Sequence, residues 1–402
     1  MQRNSEDDSI EPMARGFAQA GVRIANERAV MTLIGLNPGV SNAELARLSG
    51  LGPQTTSRIV SDLEMRELVL RGDVLRGRRG QPATPLFLNP DGAFGIGIEI
   101  GWRHFEVLLF GMAGLTLASI RRTYAWPDFH TVFSEVSAEV ATIRAGMTSQ
   151  QLSRLVGIGI ASPSNIERHL ERLGAPPEQV DLWRGVDLAA EASRALGEAV
   201  EWVNDGSAAC WAEFIARPAP RPNGLAYFQV GTLVGAGIAI DGHLWEGRSG
   251  NAANLGAILV ADAQGRPSYL HSIASILALQ QRIEAAGGTL PSGDPLNWDW
   301  TTLEPAATLW LDDAGRALAS AVLSTRAVME LDIAIIDGVM PRPVVQRLLD
   351  RVDHHIAALP AFGTDRPELA MGYMGGAAAA TGAAQLVLFH RFFSRAWNIF
   401  AT

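Results

Sequence analysis

The chain contains no lysine, a single cysteine and no long apolar run, and each absence excludes a class of chemistry. All 33 basic residues are arginine, which removes Schiff-base catalysis and the phosphate-binding lysine of Walker-type NTPases. One cysteine, Cys210, excludes an internal disulfide and a cysteine-based zinc cage. No hydrophobic stretch approaches the roughly 20 residues that cross a bilayer, and the acidic start Met-Gln-Arg-Asn-Ser-Glu-Asp-Asp lacks the apolar core of a secretion signal. The expectation is a cytoplasmic protein with no membrane partner. With 402 residues, 48% hydrophobic and 19% charged, the chain has the length for two or three domains and the apolar content to fill their cores.

The net charge of −9 is unevenly distributed. Residues 13–84 carry ten arginines and six acids, whereas 1–12 carry one arginine and four acids and the remainder is acidic, with 22 arginines and 32 acids. A small basic head on an acidic body implies that only the head meets a polyanion.

In the head, Val30, Leu33 and Ile34 make the i, i+3, i+4 stripe of a first helix, which Asn37-Pro38-Gly39 ends. Ser41-Asn-Ala-Glu44 is a capping box that starts a second helix at Asn42. Gly50-Leu51-Gly52 turns the chain, and Pro53 at N1 opens a third helix to about Glu67. Its buried stripe, Thr56, Ile59, Val60 and Leu63, leaves Gln54, Thr55, Ser57 and Arg58 outward near the N-terminus. Such side chains read base edges and phosphates when a helix enters the major groove. Leu68-Val-Leu70 and Val74-Leu75 predict a small hairpin, tipped by Arg76, Arg78 and Arg79 among glycines, a wing suited to a phosphate backbone or minor groove. The expected unit is a winged helix-turn-helix over 15–82. A protein-interaction winged helix with a solvated arginine run is the alternative. Pro82, Pro85 and Pro90 predict a stiff linker over 83–92.

The body alternates strands and helices, which indicates an α/β layered fold. Strands are expected at Gly95–Ile100, His104–Phe110, Leu115–Ile120, Leu155–Ile160 and Val200–Val203, with helices at Asp128–Ala145 and Leu188–Leu196. The pattern restarts with strands at Leu225–Val230, Gly235–Ile240 and Ile333–Ile336 and helices near Ser268–Ala286 and Asp313–Leu331. This recurrence suggests two similar lobes with a cleft between them. Three glycine-bearing spots lie at strand ends: Glu99-Ile-Gly-Trp-Arg103, Gly231-Thr-Leu-Val-Gly-Ala-Gly237 and Gly372-Tyr-Met-Gly-Gly376. Each alone reads equally well as an ordinary turn; their order and spacing resemble the phosphate 1, phosphate 2 and adenosine segments of the two-lobed actin-like (ribonuclease H-like) ATPase and sugar kinase fold.

Together with Val203-Asn-Asp-Gly-Ser-Ala-Ala-Cys-Trp-Ala-Glu213, Gly250-Asn-Ala-Ala-Asn-Leu-Gly256 and the winged head, these segments are similar to the ROK family of repressors, open reading frames and sugar kinases, in its transcriptional-regulator branch. The resemblance runs from about Gly21 onward. It implies lobe one over 93–205, with a C-terminal helix from about 385 to 400 returning to it, and lobe two over 206–384.

The resemblance also implies roles. In family kinases an Asn-Asp pair holds sugar hydroxyls and the Asp is general base; those positions are Asn204 and Asp205 here, although the pair also suits a helix N-cap. Asn254 and Ala257 stand where the kinases have Glu and His, and His271 takes the place of a further Glu, unless it is a helix-surface histidine. Asn165 and Trp183 are weaker cleft candidates, and Trp183 also reads as packing. Phosphate 1 departs from Asp-Ile-Gly-Gly-Thr: Glu99 replaces Asp, Gly101 is kept, and Trp102 and Arg103 add bulk. Phosphate 2 keeps Gly231, Thr232, Gly235 and Gly237, while Leu233 and Ala236 replace glycines. The family's cysteine-rich zinc loop is absent. The resulting expectation is a sugar-responsive repressor, a homodimer or tetramer, that binds operator DNA and a monosaccharide or derivative and uses no ATP, magnesium or other metal. An active ATP-dependent sugar kinase, with Asp205 as base, and a regulator answering to a protein partner are the alternatives.

Overall fold

In a computed structural model of the chain, residues 19–73, 84–218, 220–360 and 366–394 are described. The head is three helices, Gln19–Leu36, Asn42–Ser49 and Pro53–Met65, and a two-stranded sheet. The capping box forms as the sequence predicts: the Ser41 hydroxyl accepts from the Glu44 amide, and the Glu44 carboxylate accepts from the Ser41 amide at 2.9 Å. Thr56, Ile59, Val60 and Leu63 are buried in the third helix.

Strand β1, Val69–Arg71, pairs antiparallel with β2, Leu86–Leu88. The hairpin partner is therefore Leu86–Leu88, and Val74-Leu75 lies outside the described residues, as do Arg76, Arg78 and Arg79. This also corrects the linker expected over 83–92. Leu86 is fully buried in the head core and its carbonyl accepts from the Gly39 amide at 2.8 Å, so prolines that read as a spacer flank a strand of the wing.

Lobe one is a five-stranded sheet of β3 (Phe94–Ile100), β4 (His104–Gly111), β5 (Thr116–Thr123), β6 (Leu155–Ser162) and β7 (Val200–Asn204), in the order β5-β4-β3-β6-β7. Lobe two repeats the plan with β8 (Gly224–Val230), β9 (Val234–Ile240), β10 (His243–Leu244), β13 (Ile333–Gly338) and β14 (Glu368–Met371), ordered β10-β9-β8-β13-β14. A small hairpin, β11 (Leu259–Ala261) with β12 (Pro267–Tyr269), stands apart. In both sheets the first three strands are antiparallel neighbours and the last two join in parallel. Helices Val132–Ala145 and Leu188–Leu196 pack on sheet one, and Ala306–Val328 and Arg342–Ala358 on sheet two. Trp183 belongs to the core of lobe one, its Nε1 donating to the Pro127 carbonyl at 2.9 Å.

Two further helices lie between the sheets. The bridge helix Asp205–Ala216 packs on β8 and β9, and the terminal helix Ala378–Phe392 packs on β3 and β6 and on the bridge helix. The Gly-Ile-Gly-Ile alternation makes this possible. A Cβ at Gly97 would stand 2.0 Å from the Ala380 carbonyl oxygen, and one at Gly382 would stand 1.8 Å from that of Ala208. The terminal helix thus begins nearer 378 than 385, and residues beyond Ser394 are outside the described set.

The helix expected over 268–286 is interrupted. His271–Ala274 forms one turn, and Ser275 then takes extended dihedrals and caps a separate helix, Ile276–Ala285, by accepting from the Ala278 amide. A local serine cap outcompetes continuation because it satisfies amides that a helix start would leave orphaned.

Head and body share a hydrophobic cluster. Val30, Ile34 and Leu86 of the head join Leu108 and Phe110 of β4 and Ala384 and Leu388 of the terminal helix. The Ser394 amide then donates to the Thr32 hydroxyl at 2.9 Å.

Candidate functional site

The cleft between the lobes holds a cavity of about 510 Å³, and the Glu99–Arg103 turn, the Gly231–Gly237 turn and the Asn-Asp pair open onto it. Asn204, Asp205, Asn254 and His271 all line it, brought together from β7, the bridge helix, the 250–256 loop and the turn His271–Ala274. Gly256 fixes part of this arrangement, since a Cβ there would meet the Val234 carbonyl oxygen at 2.5 Å and the His271 Nδ1 at 3.6 Å.

Asn204 does what either sequence reading requires. Its side-chain oxygen accepts from the Ser207 amide at 3.2 Å as the N-cap of the bridge helix, while its Nδ2 donates to the Ser164 hydroxyl at 3.4 Å. The half-buried Asp205 accepts from the Gly206 amide at 2.8 Å. Burial first, and the nearby Glu99 carboxylate second, push its carboxyl up to about 7. Glu99 is buried on β3 with its Oε2 3.3 Å from His104 Nε2; burial opposes its ionisation, but His104 and Arg121 outweigh that and hold it below the usual range.

His271 is half-buried and faces the cavity instead of standing on an outer helix surface. His169 of lobe one meets it ring to ring at 5.6 Å, and Trp102 meets His169 edge-on at 5.5 Å. Burial first lowers both imidazoles below their ordinary value; His271, Arg172 and Arg168 act further on His169, which is lowered to about 4, and Arg172 on His271. Asn165 and Trp183 do not line this cavity; they line a second chamber beside it.

Glu99, Gly101, Gly231, Thr232 and Gly235 line the other half of the cleft with Trp102 and Arg103. In and around this half, several polar groups of the protein are bonded to one another. The Ile276 and Leu277 amides, at the start of a helix, donate to the Gly231 and Thr232 carbonyls at 2.8 and 3.3 Å. In the Gly372–Gly376 turn, Glu213 accepts from the Tyr373 and Met374 amides, both at 2.7 Å, and Asp337 accepts from the Gly375 amide at 2.8 Å. Gln229 donates to the Gly375 carbonyl at 3.1 Å. Across the cleft, Arg121 of β5 bonds Glu106 at 3.0 Å, Asp294 of lobe two at 2.8 Å and the Gly376 carbonyl at 3.2 Å.

Sequence reasoning misses Arg121, Glu106, Asp294, Gln229, Glu213 and Asp337. No local pattern marks them, because each is partnered by a residue distant along the chain. Asn251, which also lines the cavity, lies inside the Gly250–Gly256 segment and was findable there.

On the head, Gln54, Ser57 and Arg58 are exposed and Thr55 half-exposed on the N-terminal part of the third helix. Among the described residues, no helix is long and apolar enough to cross a membrane.

The chain resembles several known proteins. It is 28% identical over 92% of its length to an uncharacterized protein, y4fQ, of Sinorhizobium fredii, and covers 92% of that protein. It is 24% identical to the xylose repressor of Bacillus spizizenii over 60% of this chain and 62% of that one. Among solved structures, a ROK family transcriptional regulator homologous to the E. coli Mlc protein superposes with a TM-score of 0.67 at 22% identity, over 95% of this chain and all of that one. A ROK glucokinase from Streptomyces griseus, solved with glucose and AMPPNP, superposes at 0.58 and 20% identity over 73% of this chain and 99% of that one. Such identities show a shared fold. A winged helix-turn-helix DNA-binding model matches residues 25–69 and the ROK family model matches 95–389, well over half the chain. The protein therefore belongs to the ROK family and carries a winged helix-turn-helix head.

Proposed function

We propose that this protein is a sugar-responsive transcriptional repressor of carbohydrate uptake or catabolism genes. It binds operator DNA through Gln54, Thr55, Ser57 and Arg58 together with the wing arginines Arg76, Arg78 and Arg79. A sugar or sugar derivative occupies the cleft on Asn204, Asp205, Asn254 and His271. One observation carries this reading: four polar side chains suited to hydroxyls converge on one cavity in a chain that carries a winged helix-turn-helix head. A site built to hydrogen-bond hydroxyls rejects ligands that lack them, because its polar groups would be left unpaired.

The residues present do not fit a magnesium nucleotide. Small residues at the phosphate 1 turn would let backbone amides approach phosphate, whereas Trp102 and Arg103 stand at that turn and line the cavity. Glu213 and Asp337 already take the amides of the Gly372–Gly376 turn, the stretch that resembles the adenosine segment, so a nucleotide would have to displace them to use those amides. With the only cysteine buried in the bridge helix, a cysteine zinc loop has no ligands either.

The terminal helix offers a route from ligand to DNA. Its N-terminal end meets Arg121 and Gln229 through the Gly375–Gly376 carbonyls, and its far end packs into the head core. Lobe closure around a sugar shifts that helix and with it the two heads of a dimer or tetramer, provided the two states differ in sugar affinity; such coupling is typically about 1–3 kcal/mol.

A second reading, an active ATP-dependent sugar kinase, draws on Asp205, whose carboxyl near 7 suits a general base. The decisive experiment pairs a gel shift on operator DNA against a sugar panel with a coupled assay of ATP turnover on the same sugars. Release or tightening of DNA by a sugar without turnover is expected; turnover abolished by Asp205→Ala would establish the kinase instead.

A further inference from the structure

A chamber of about 440 Å³ adjoins the cleft cavity, and Pro163, Ser164 and Asn251 line both. It opens on the side of the Asn204 cluster, not the glycine-turn side, since the Ser164 hydroxyl that it shares with the cleft accepts from Asn204. Its wall is aromatic and polar: Trp202, half-buried with Nε1 donating to the Ser162 hydroxyl at 2.8 Å, stands with Asn165 and Ser249. Asn165 is held in the left-handed region at φ 56°, a conformation that asparagine tolerates better than most residues. Among the described residues, the side-chain amides of Asn165 and Asn251 make no hydrogen bond to protein. Amides that line a concave site without protein partners are available to a ligand, and an indole there offers an apolar face to the C–H face of a sugar ring.

We propose that the effector is a disaccharide, its first ring held by Asn204, Asp205, Asn254 and His271 and its second lodged in the chamber on Trp202, Asn165 and Asn251. This rests on the sugar-cleft reading above and adds the size of the ligand. A ligand anchored at Asn204 reaches the chamber past Ser164 and Asn251 without crossing the Arg121 bridge.

The test is a titration of the full chain, followed by thermal shift and tryptophan fluorescence. The probes are glucose, xylose, mannose and N-acetylglucosamine, and the disaccharides cellobiose, maltose, xylobiose, mannobiose and chitobiose. At least one disaccharide is expected to bind about tenfold or more tighter than its parent monosaccharide. Asn165→Gly keeps the left-handed backbone while deleting the amide, and Trp202→Phe keeps an aromatic ring; each should cut that preference about fivefold. The ligand-induced fluorescence change should shrink in Trp202→Phe. Monosaccharides that bind as tightly as every disaccharide, or a preference untouched by both variants, overturn the two-ring assignment alone. No binding by any of these sugars overturns the sugar-cleft reading and this inference with it.

Discussion

The two halves of the cleft differ in how far their polar groups are already bonded to the protein. Around Asn204 and His271, side chains face an open cavity, and Asn254 and Asn251 keep their amides free of protein partners among the described residues. Around the Gly372–Gly376 turn the backbone groups are bonded to the protein itself, through Glu213, Asp337, Gln229 and Arg121, and the Gly231 and Thr232 carbonyls accept from the Ile276 and Leu277 amides. A hydrogen bond already made inside the fold must be broken before a ligand can use the same group, so a ligand gains less from the second set of groups than from the first. Two sets of polar groups within one fold thus differ, by local bonding alone, in what they leave available to a ligand.

The comparison breaks most violently at Arg121. Its guanidinium compensates Glu106 and Asp294, whose side chains are 7% and 10% exposed. Arg121→Ala leaves both carboxylates buried without a counter-charge, which should cost about 3 kcal/mol of stability and loosen one lobe from the other, as read by denaturant unfolding. A loss no larger than that of an exposed pair would show that this bridge does not hold the lobes together. Next in size, Asp205→Ala should weaken sugar binding by about 2–3 kcal/mol and remove the effector response in a gel shift, with operator affinity in the absence of sugar retained. An unchanged effector titration would move the sugar out of this half. Third, Arg58→Ala should weaken operator binding by about 1–3 kcal/mol and relax sequence discrimination, without altering the sugar titration. If it changed sugar binding in the absence of DNA, head and cleft could not be treated as separate sites.

Much of this was legible in the sequence, and what was not has a physical cause. The Ser41–Glu44 capping box, the Pro53 start and the Gly-Ile-Gly-Ile strands are local signals, and they predicted elements that the structure contains. Leu86–Leu88 was hidden because Pro85 and Pro90 bracket it, and three residues are too few for an alternation to declare itself; its strand depends on a partner at Val69–Arg71. The break at Ser275 was visible in principle as a serine before an apolar run, yet the surrounding helical spacing masked it. Asn204, Asp205, Asn254 and His271 were nameable through the resemblance, and the structure places them on one cavity. Asn165 was named with them and stands in the neighbouring chamber, because a turn of one or two residues decides which cavity a side chain enters. The Arg121 bridge joins residues 121, 294 and 376, and no pattern within a single segment encodes such a meeting.

The smallest effect sharpens the electrostatics of the sugar half. Burial, with Glu99 behind it, raises the Asp205 carboxyl to about 7, against an ordinary value of 3.8 recovered on unfolding. Between those values the folded chain keeps a proton that the unfolded chain gives up, so Asp205 favours folding on the acid side and that contribution is lost as pH rises through 7. Asparagine is neutral at every pH and nearly isosteric. The difference in Tm between Asp205→Asn and the parent should therefore grow by a few degrees from pH 5 to pH 8.5, in favour of the variant. Glu213 is also raised to about 7, first by burial, but it contributes equally to both proteins and cancels in the difference. A Tm difference that is flat with pH would mean that Asp205 ionises freely in the fold, leaving the Asn204 half as highly charged as the half it is contrasted with.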